Sequence, residues 1–181
     1  MELRSTTPAP GGALPIYRID LALPPRQRYQ RLSLDFAPQM RQITPLFDQV
    51  IASLIQSVFL QRVVKFLARI FLRRVYSSEE TEELRGIAKT SGVEFYFLVA
   101  FNVLLDSLLG CTSGGVMTRP SRKDVVGERM MHFRTLDWGM DELRDVLVVL
   151  EFVNTKSDEP DKVLGRSITY AGFVGVLTGV K

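Results

Sequence analysis

The chain predicts an α+β fold in which a helical N-terminal half precedes a strand-rich C-terminal half. Three observations carry that expectation. Apolar residues recur at steps of three and four from Val50 to Phe71. The run from Val93 to Leu109 is almost wholly apolar. After Gly110 the apolar stretches become short and β-branched, and polar or glycine-containing turns separate them.

Residues 1–14 are rich in Pro, Gly and Thr and are expected to form a disordered tail. Tyr17 to Leu23 alternates apolar and polar side chains, the pattern of a short strand, and Pro24-Pro25 ends it. Residues 26–38 are mostly polar and stop at Pro38. One long amphipathic helix is expected from Pro45 to Tyr76, with Arg62, Lys65, Arg69, Arg73 and Arg74 interrupting its apolar stripe. Those charges rule it out as a membrane span. Such a helix either packs on its own domain with a solvated basic face or rests on an anionic lipid surface. Ser77 and Glu80 fit a capping box that opens the next helix. Val93 to Leu109 carries Glu94 and Asp106 and is short for a span, so a buried helix is expected there. Asn102 and Asp106 are expected to satisfy buried polar groups. Strands are expected at 111–118, 125–134, 144–153 and 167–177, the last broken by glycines.

The 181 residues suffice for one domain with a real core, or for a piece of a larger one. A net charge of +3, without interleaved basic and aromatic residues, gives no case for nucleic acid. A single cysteine excludes an internal disulfide, and one cysteine with one histidine exclude a Cys/His metal cluster. No cofactor and no metal are expected. His132 reads as a solvent-facing or core residue of a strand, not a catalytic one.

The junction Gly110-Cys111-Thr112-Ser113 lies between the helical half and the first strand of the β half. Read from position alone, Cys111 is a buried structural thiol. Gly110, however, leaves the preceding peptide bond open to attack by the Cys111 thiol. Downstream, Arg134 and Asp137 stand three residues apart near the end of a strand. On their own they read as a surface ion pair of little energetic weight.

Several stretches together resemble the acid ceramidase and N-acylethanolamine acid amidase family of N-terminal-nucleophile hydrolases. Tyr17-Arg-Ile-Asp20-Leu-Ala-Leu-Pro24-Pro25-Arg-Gln-Arg28 resembles the family's opening segment. Glu82-Glu83-Leu-Arg-Gly86-Ile-Ala88 resembles a helix of its small subunit. Phe101-Asn102, followed by Cys111-Thr112-Ser113, resembles the run into its cleavage site. Arg134-Thr-Leu-Asp137-Trp138 and Tyr170-Ala-Gly172-Phe-Val-Gly175-Val-Leu-Thr178-Gly179 resemble two motifs of its β half. Thr135 and Phe133 depart from the family pattern, which has Asn and Gly there.

The resemblance implies a precursor cut before Cys111. Residues 15–110 would form an α-subunit-like region, and 111–181 the start of a β-subunit hydrolase domain of the αββα sandwich. The product would be an α/β heterodimer. It implies Cys111 as nucleophile, its own freed α-amine as base, Asp137 holding that amine and Arg134 donating hydrogen bonds. The substrate would be a lipid amide, ceramide first and N-acylethanolamine second, with peripheral contact to a lipid surface. The resemblance also implies a β half that continues past Lys181 with an Asn and an Arg, so a truncated chain is expected. A non-catalytic lipid-surface or partner-binding protein is the competing reading. Family members act in lysosomes, whereas Met1 to Leu14 lacks the apolar stretch of a secretory signal, which implies an intracellular protein or a different start.

Overall fold

In a computed structural model, residues 13–107, 113–118, 129–135 and 141–180 are described. The chain opens on strand β1 (Ile16–Asp20), followed by a short helix α1 (Pro25–Arg28) and by α2 (Gln30–Gln42). Then come α3 (Thr44–Leu54), α4 (Val58–Phe71), α5 (Ser78–Ser91) and α6 (Phe95–Ser107). The strand-rich part holds β2 (Ser113–Thr118), β3 (Arg129–Arg134), a 3-10 helix (Asp141–Val146), β4 (Leu147–Val153), β5 (Gly165–Tyr170) and β6 (Thr178–Val180). The expected α+β order holds: helices dominate before Gly110 and strands after it.

Two compact units result. One joins residues 1–105 with 140–181, and the other is 106–139. Chain order and unit therefore part company, because the strands after residue 140 return to the helical half.

In the larger unit, β1, β4, β5 and β6 form one sheet in that order. β1 runs parallel to β4, with Tyr17 opposite Leu150, while β4–β5 and β5–β6 are antiparallel. One face carries Ile19, Val148, Leu150, Ser167 and Thr169, all buried. Helices α2 and α6 supply Phe36, Met40, Leu98 and Val99 to the same core. The Tyr17 and Phe36 rings meet edge to face at 5.9 Å. On the opposite face, Arg18, Glu151 and Arg166 line up across three strands, with Glu151 bonded to both arginines. Ile16 and Ile168 flank that row in solvent.

The helices differ from expectation in two places. The single helix expected over 45–76 is two, parted at Ile55–Ser57. Ile55 turns extended, and Ser57 caps α4 by accepting a hydrogen bond from the Leu60 N–H. Gln61 reaches back to the Ile55 carbonyl at 2.8 Å, which satisfies a group freed by the break. Pro38 does not end a helix but lies inside α2. It sits on the exposed side, while Leu32, Ser33, Phe36, Ala37 and Met40 form the buried stripe. The capping box is present: Ser77 accepts from the Glu80 N–H, and Glu80 accepts from the Ser77 N–H. The stretch expected as strand over 167–177 ends at Tyr170, where Gly172 takes φ of 96° and turns the chain.

The resembling motifs meet one another in this unit. Arg28 donates to the carbonyls of Leu21 and Leu23 and pairs with Glu79 and Glu83 of α5. Gly86 lies against the backbone of Arg26, so α1 and α5 touch main chain to main chain. Buried Asn102 donates to the Leu98 and Gly172 carbonyls and accepts from the Val174 N–H. It thereby ties the turn after β5 to α6, the structural role expected of it. Asp20 accepts from the Ala22 N–H and from both the N–H and hydroxyl of Thr155.

Candidate active site

The smaller unit is built on an antiparallel pair, β2 with β3. Its register sets Ser113 opposite Arg134, Gly114 opposite Phe133 and Gly115 opposite His132. Two glycines in a strand need a reason, since they weaken it. Here the Phe133 ring lies over Gly114, and a Cβ there would sit 3.0 Å from ring carbons. The Met130 sulfur covers Gly115 in the same way. Side chains of β3, Phe133 directly opposite and Met130 on the diagonal, thus fill the space that the missing side chains leave.

Of the three residues singled out by sequence, Arg134 closes β3. Cys111 and Asp137 lie outside the described residues. The strand pair brings Ser113, two positions after Cys111 in the chain, beside Arg134, three positions before Asp137. His132 is solvent-exposed on β3. No group of three or more His, Cys, Asp or Glu suited to a metal occurs among the described residues.

The larger unit holds a small apolar cavity of about 20 Å³ between α3, α6 and the 3-10 helix. Ile43, Leu46, Phe47, Phe97, Phe101 and Leu143 wall it. Phe97 and Phe101 stack at 6.1 Å, and Phe47 meets Phe97 edge on at the same separation. The place of this cavity was not legible in the sequence, because α3 was hidden inside one long expected helix.

Electrostatically, the strongest features support the scaffold. Glu83 is pushed above the usual carboxylate range, mainly by burial, against the opposing hydrogen bond from Arg28. Tyr17 is raised to about 12 by burial and by its hydrogen bond to Asp35. Asp20 is held below the ordinary carboxylate value, first by the Thr155 hydroxyl.

Comparison with known proteins places the chain. Residues 12–76 match a family described as the beta subunit of N-acylethanolamine-hydrolyzing acid amidase. Acid ceramidase from Homo sapiens is 29% identical over 98% of this chain and 46% of its own length. Acid ceramidase from Rattus norvegicus is 27% identical with the same coverage. The chain thus spans about half the length of the curated relatives it matches. A solved N-acylethanolamine-hydrolyzing acid amidase ortholog from Caenorhabditis elegans is 30% identical, covering 50% of this chain and 82% of that one, with a TM-score of 0.38. The relationship rests on sequence, running through nearly every residue from the opening strand to the last one. The chain belongs to the acid ceramidase and N-acylethanolamine acid amidase family.

Proposed function

We propose that this chain is the amide-hydrolase portion of a lipid amidase, with Cys111 as nucleophile after self-cleavage of the Gly110–Cys111 bond. The observation that carries the reading is likeness to acid ceramidases over 98% of the chain, which takes in Cys111, Arg134 and Asp137. The register of Ser113 against Arg134 supports it by holding the segment after the cysteine next to the arginine strand.

The chemistry needs no histidine. The Cys111 thiol attacks the Gly110 carbonyl carbon, and the peptide nitrogen leaves as a free amine, giving a thioester. Water hydrolyses that thioester, leaving a carboxylate on Gly110 and a free α-amine on Cys111. An α-amine titrates near pH 8, about one unit above neutral, and is fixed a few bonds from its own sulfur. Base and nucleophile are therefore positioned together. In turnover the amine takes the thiol proton and the thiolate attacks the amide carbonyl of the lipid. The departing amine receives the proton. Water then releases the fatty acid and restores the thiol. Asp137 would orient the ammonium form and favour it. Arg134 would offer a rigid fork of donors to the carbonyl oxygen.

Ceramide is the first substrate, yielding sphingosine and a fatty acid. The match of residues 12–76 to an N-acylethanolamine amidase subunit favours N-acylethanolamine as the second. Self-cleavage would make an α/β heterodimer with the boundary at Gly110–Cys111.

The test is a gel. Purified chain held at mildly acidic pH should split into pieces ending at Gly110 and beginning at Cys111, and Cys111→Ala should stay whole. Wild-type chain that remains intact, with no thiol acylated by a lipid-amide electrophile, would overturn the reading.

A further inference from the structure

The hairpin of β2 and β3 presents sulfur to solvent. The chain has six methionines, and Met117, Met130 and Met131 all stand on this one strand pair. They are 53%, 69% and 56% exposed. A methionine ordinarily fills gaps in a core, and these three do not.

Register sorts them by face. Met117 lies directly opposite Met130, and the neighbouring rung on the same face sets Gly115 opposite His132. Met131 lies opposite Val116 and belongs to the other face. One face thus gathers two thioethers and the only imidazole of the chain at three corners of a rectangle, with a glycine at the fourth. That glycine opens a notch. The Met130 sulfur already leans into it, 3.0 Å from where a Cβ on Gly115 would stand. Directly opposite residues hold their Cβ atoms about 4.5–5.5 Å apart, so the sulfur over Gly115 lies beside the base of the His132 side chain. Met117 stands next to Gly115 on this face of β2, and its unbranched, flexible side chain can turn to the same notch. All three side chains are open to solvent, so an ion can reach them.

We propose that Met117, Met130 and His132 bind one soft monovalent metal ion, Cu(I), above Gly115. Donor chemistry selects this ion. Thioether and imidazole are ligands that Cu(I) takes, whereas Mg²⁺, Ca²⁺ and Mn²⁺ want carboxylate, carbonyl and water. Zn²⁺ is held by thiolate, imidazole and carboxylate. The face consists of Ser113, Gly115, Met117, Met130, His132 and Arg134, so it offers Zn²⁺ a single ligand of that kind. The count of cysteine and histidine that excludes a Cys/His cluster leaves thioethers out. Bound Cu(I) would tie β2 to β3 across the pair and pin a register that two adjacent glycines specify weakly. The copper keeps its oxidation state, and the site does not depend on hydrolysis at Cys111.

The experiment is an anaerobic titration with Cu(I) supplied as its coloured bicinchoninate complex. It uses the whole chain carrying Cys111→Ala, so that the one thiol does not compete. The chain should withdraw one equivalent of Cu(I) and bleach the complex. Met117→Leu, Met130→Leu and His132→Gln should each weaken binding by roughly ten-fold or more, since losing a ligand costs no less than losing the group that supports one. Met131→Leu, on the other face, should bind as the parent does. All four positions are exposed, so the circular dichroism should be unchanged. With ¹³C-labelled methionine methyls, Ag(I) as a redox-inert stand-in should move the Met117 and Met130 signals and leave those of Met40 and Met131 in place. A chain that withdraws no Cu(I) would overturn the proposal. So would Met131→Leu weakening binding as much as Met117→Leu, or Ag(I) moving every methionine signal alike, which would mean thioethers binding without a site. Zn²⁺ bound as tightly as Cu(I), with only His132→Gln abolishing it, would assign the ion to the imidazole alone and overturn it too.

Discussion

Glu83 brings a carboxylate into the seam between α1 and α5, 2.9 Å from the Arg28 guanidinium. Burial raises its pKa more than Arg28 lowers it, so the folded chain binds that proton more tightly than the unfolded chain does. Its contribution is therefore fully present below the ordinary glutamate value and is lost as pH rises through the folded value. Glu83→Gln removes the titration and keeps an acceptor for Arg28. Across mildly acidic to neutral pH, the melting temperature of Glu83→Gln relative to wild type should climb, as read by thermal scans at several pH values. A gap that shrinks or stays flat as pH rises would contradict this account. Asp20 behaves oppositely. Its folded value is depressed, so its contribution appears above the unfolded aspartate value and fades on acidification. Sequence pattern marked Asp20, Arg28, Glu83 and Asn102 through the stretches that carry the resemblance. Their partners were not legible. Thr155 and Gly172 lie far down the chain, and no local rule joins them to Asp20 or Asn102.

At the scale of elements, local chemistry was readable and tertiary chemistry was not. The Ser77–Glu80 box could be seen because both halves of the interaction lie within one turn. The break between α3 and α4 could not, because the apolar stripe runs on through it and neither Gly nor Pro marks it. Pro38 misled for the opposite reason. It signals a break, yet on the solvent side of α2 the surrounding packing keeps the helix going. The seam between α1 and α5 yields a sharper prediction. A Cβ on Gly86 would stand 2.1 Å from the Arg26 carbonyl oxygen, which is backbone and cannot swing aside. Gly86→Ala should cost about 3 kcal/mol or more, at or above the upper end for overpacking, despite its better helix propensity. A urea midpoint equal to or above wild type would refute it. At the candidate site, Cys111 and Arg134 stood out by residue type and by order of motifs. The antiparallel register that sets Ser113 beside Arg134 needed coordinates, since glycine-rich strands specify register weakly.

Across the whole molecule, the chain order of helices then strands was legible, whereas the way the two halves join was not. β1 lies beside β4, Arg18 bonds Glu151, Asn102 bonds the turn after β5, and the Phe101 and Tyr170 rings stand 6.3 Å apart. All four ties cross the Gly110–Cys111 position. If the bond there breaks, the pieces should stay together without any covalent link and elute as one species in size-exclusion chromatography. Separation at neutral pH without denaturant would show that these ties do not suffice. The same arrangement bears on how the protein is made. Arg18 and Glu151 are 133 positions apart, so the first strand emerges long before its neighbour exists. At translation speeds of roughly 5–20 residues per second, its open edge waits on the order of ten seconds at the ribosome. Closing so long a loop is slow as well as late, and the newborn N-terminal segment is the place where chaperone demand should concentrate.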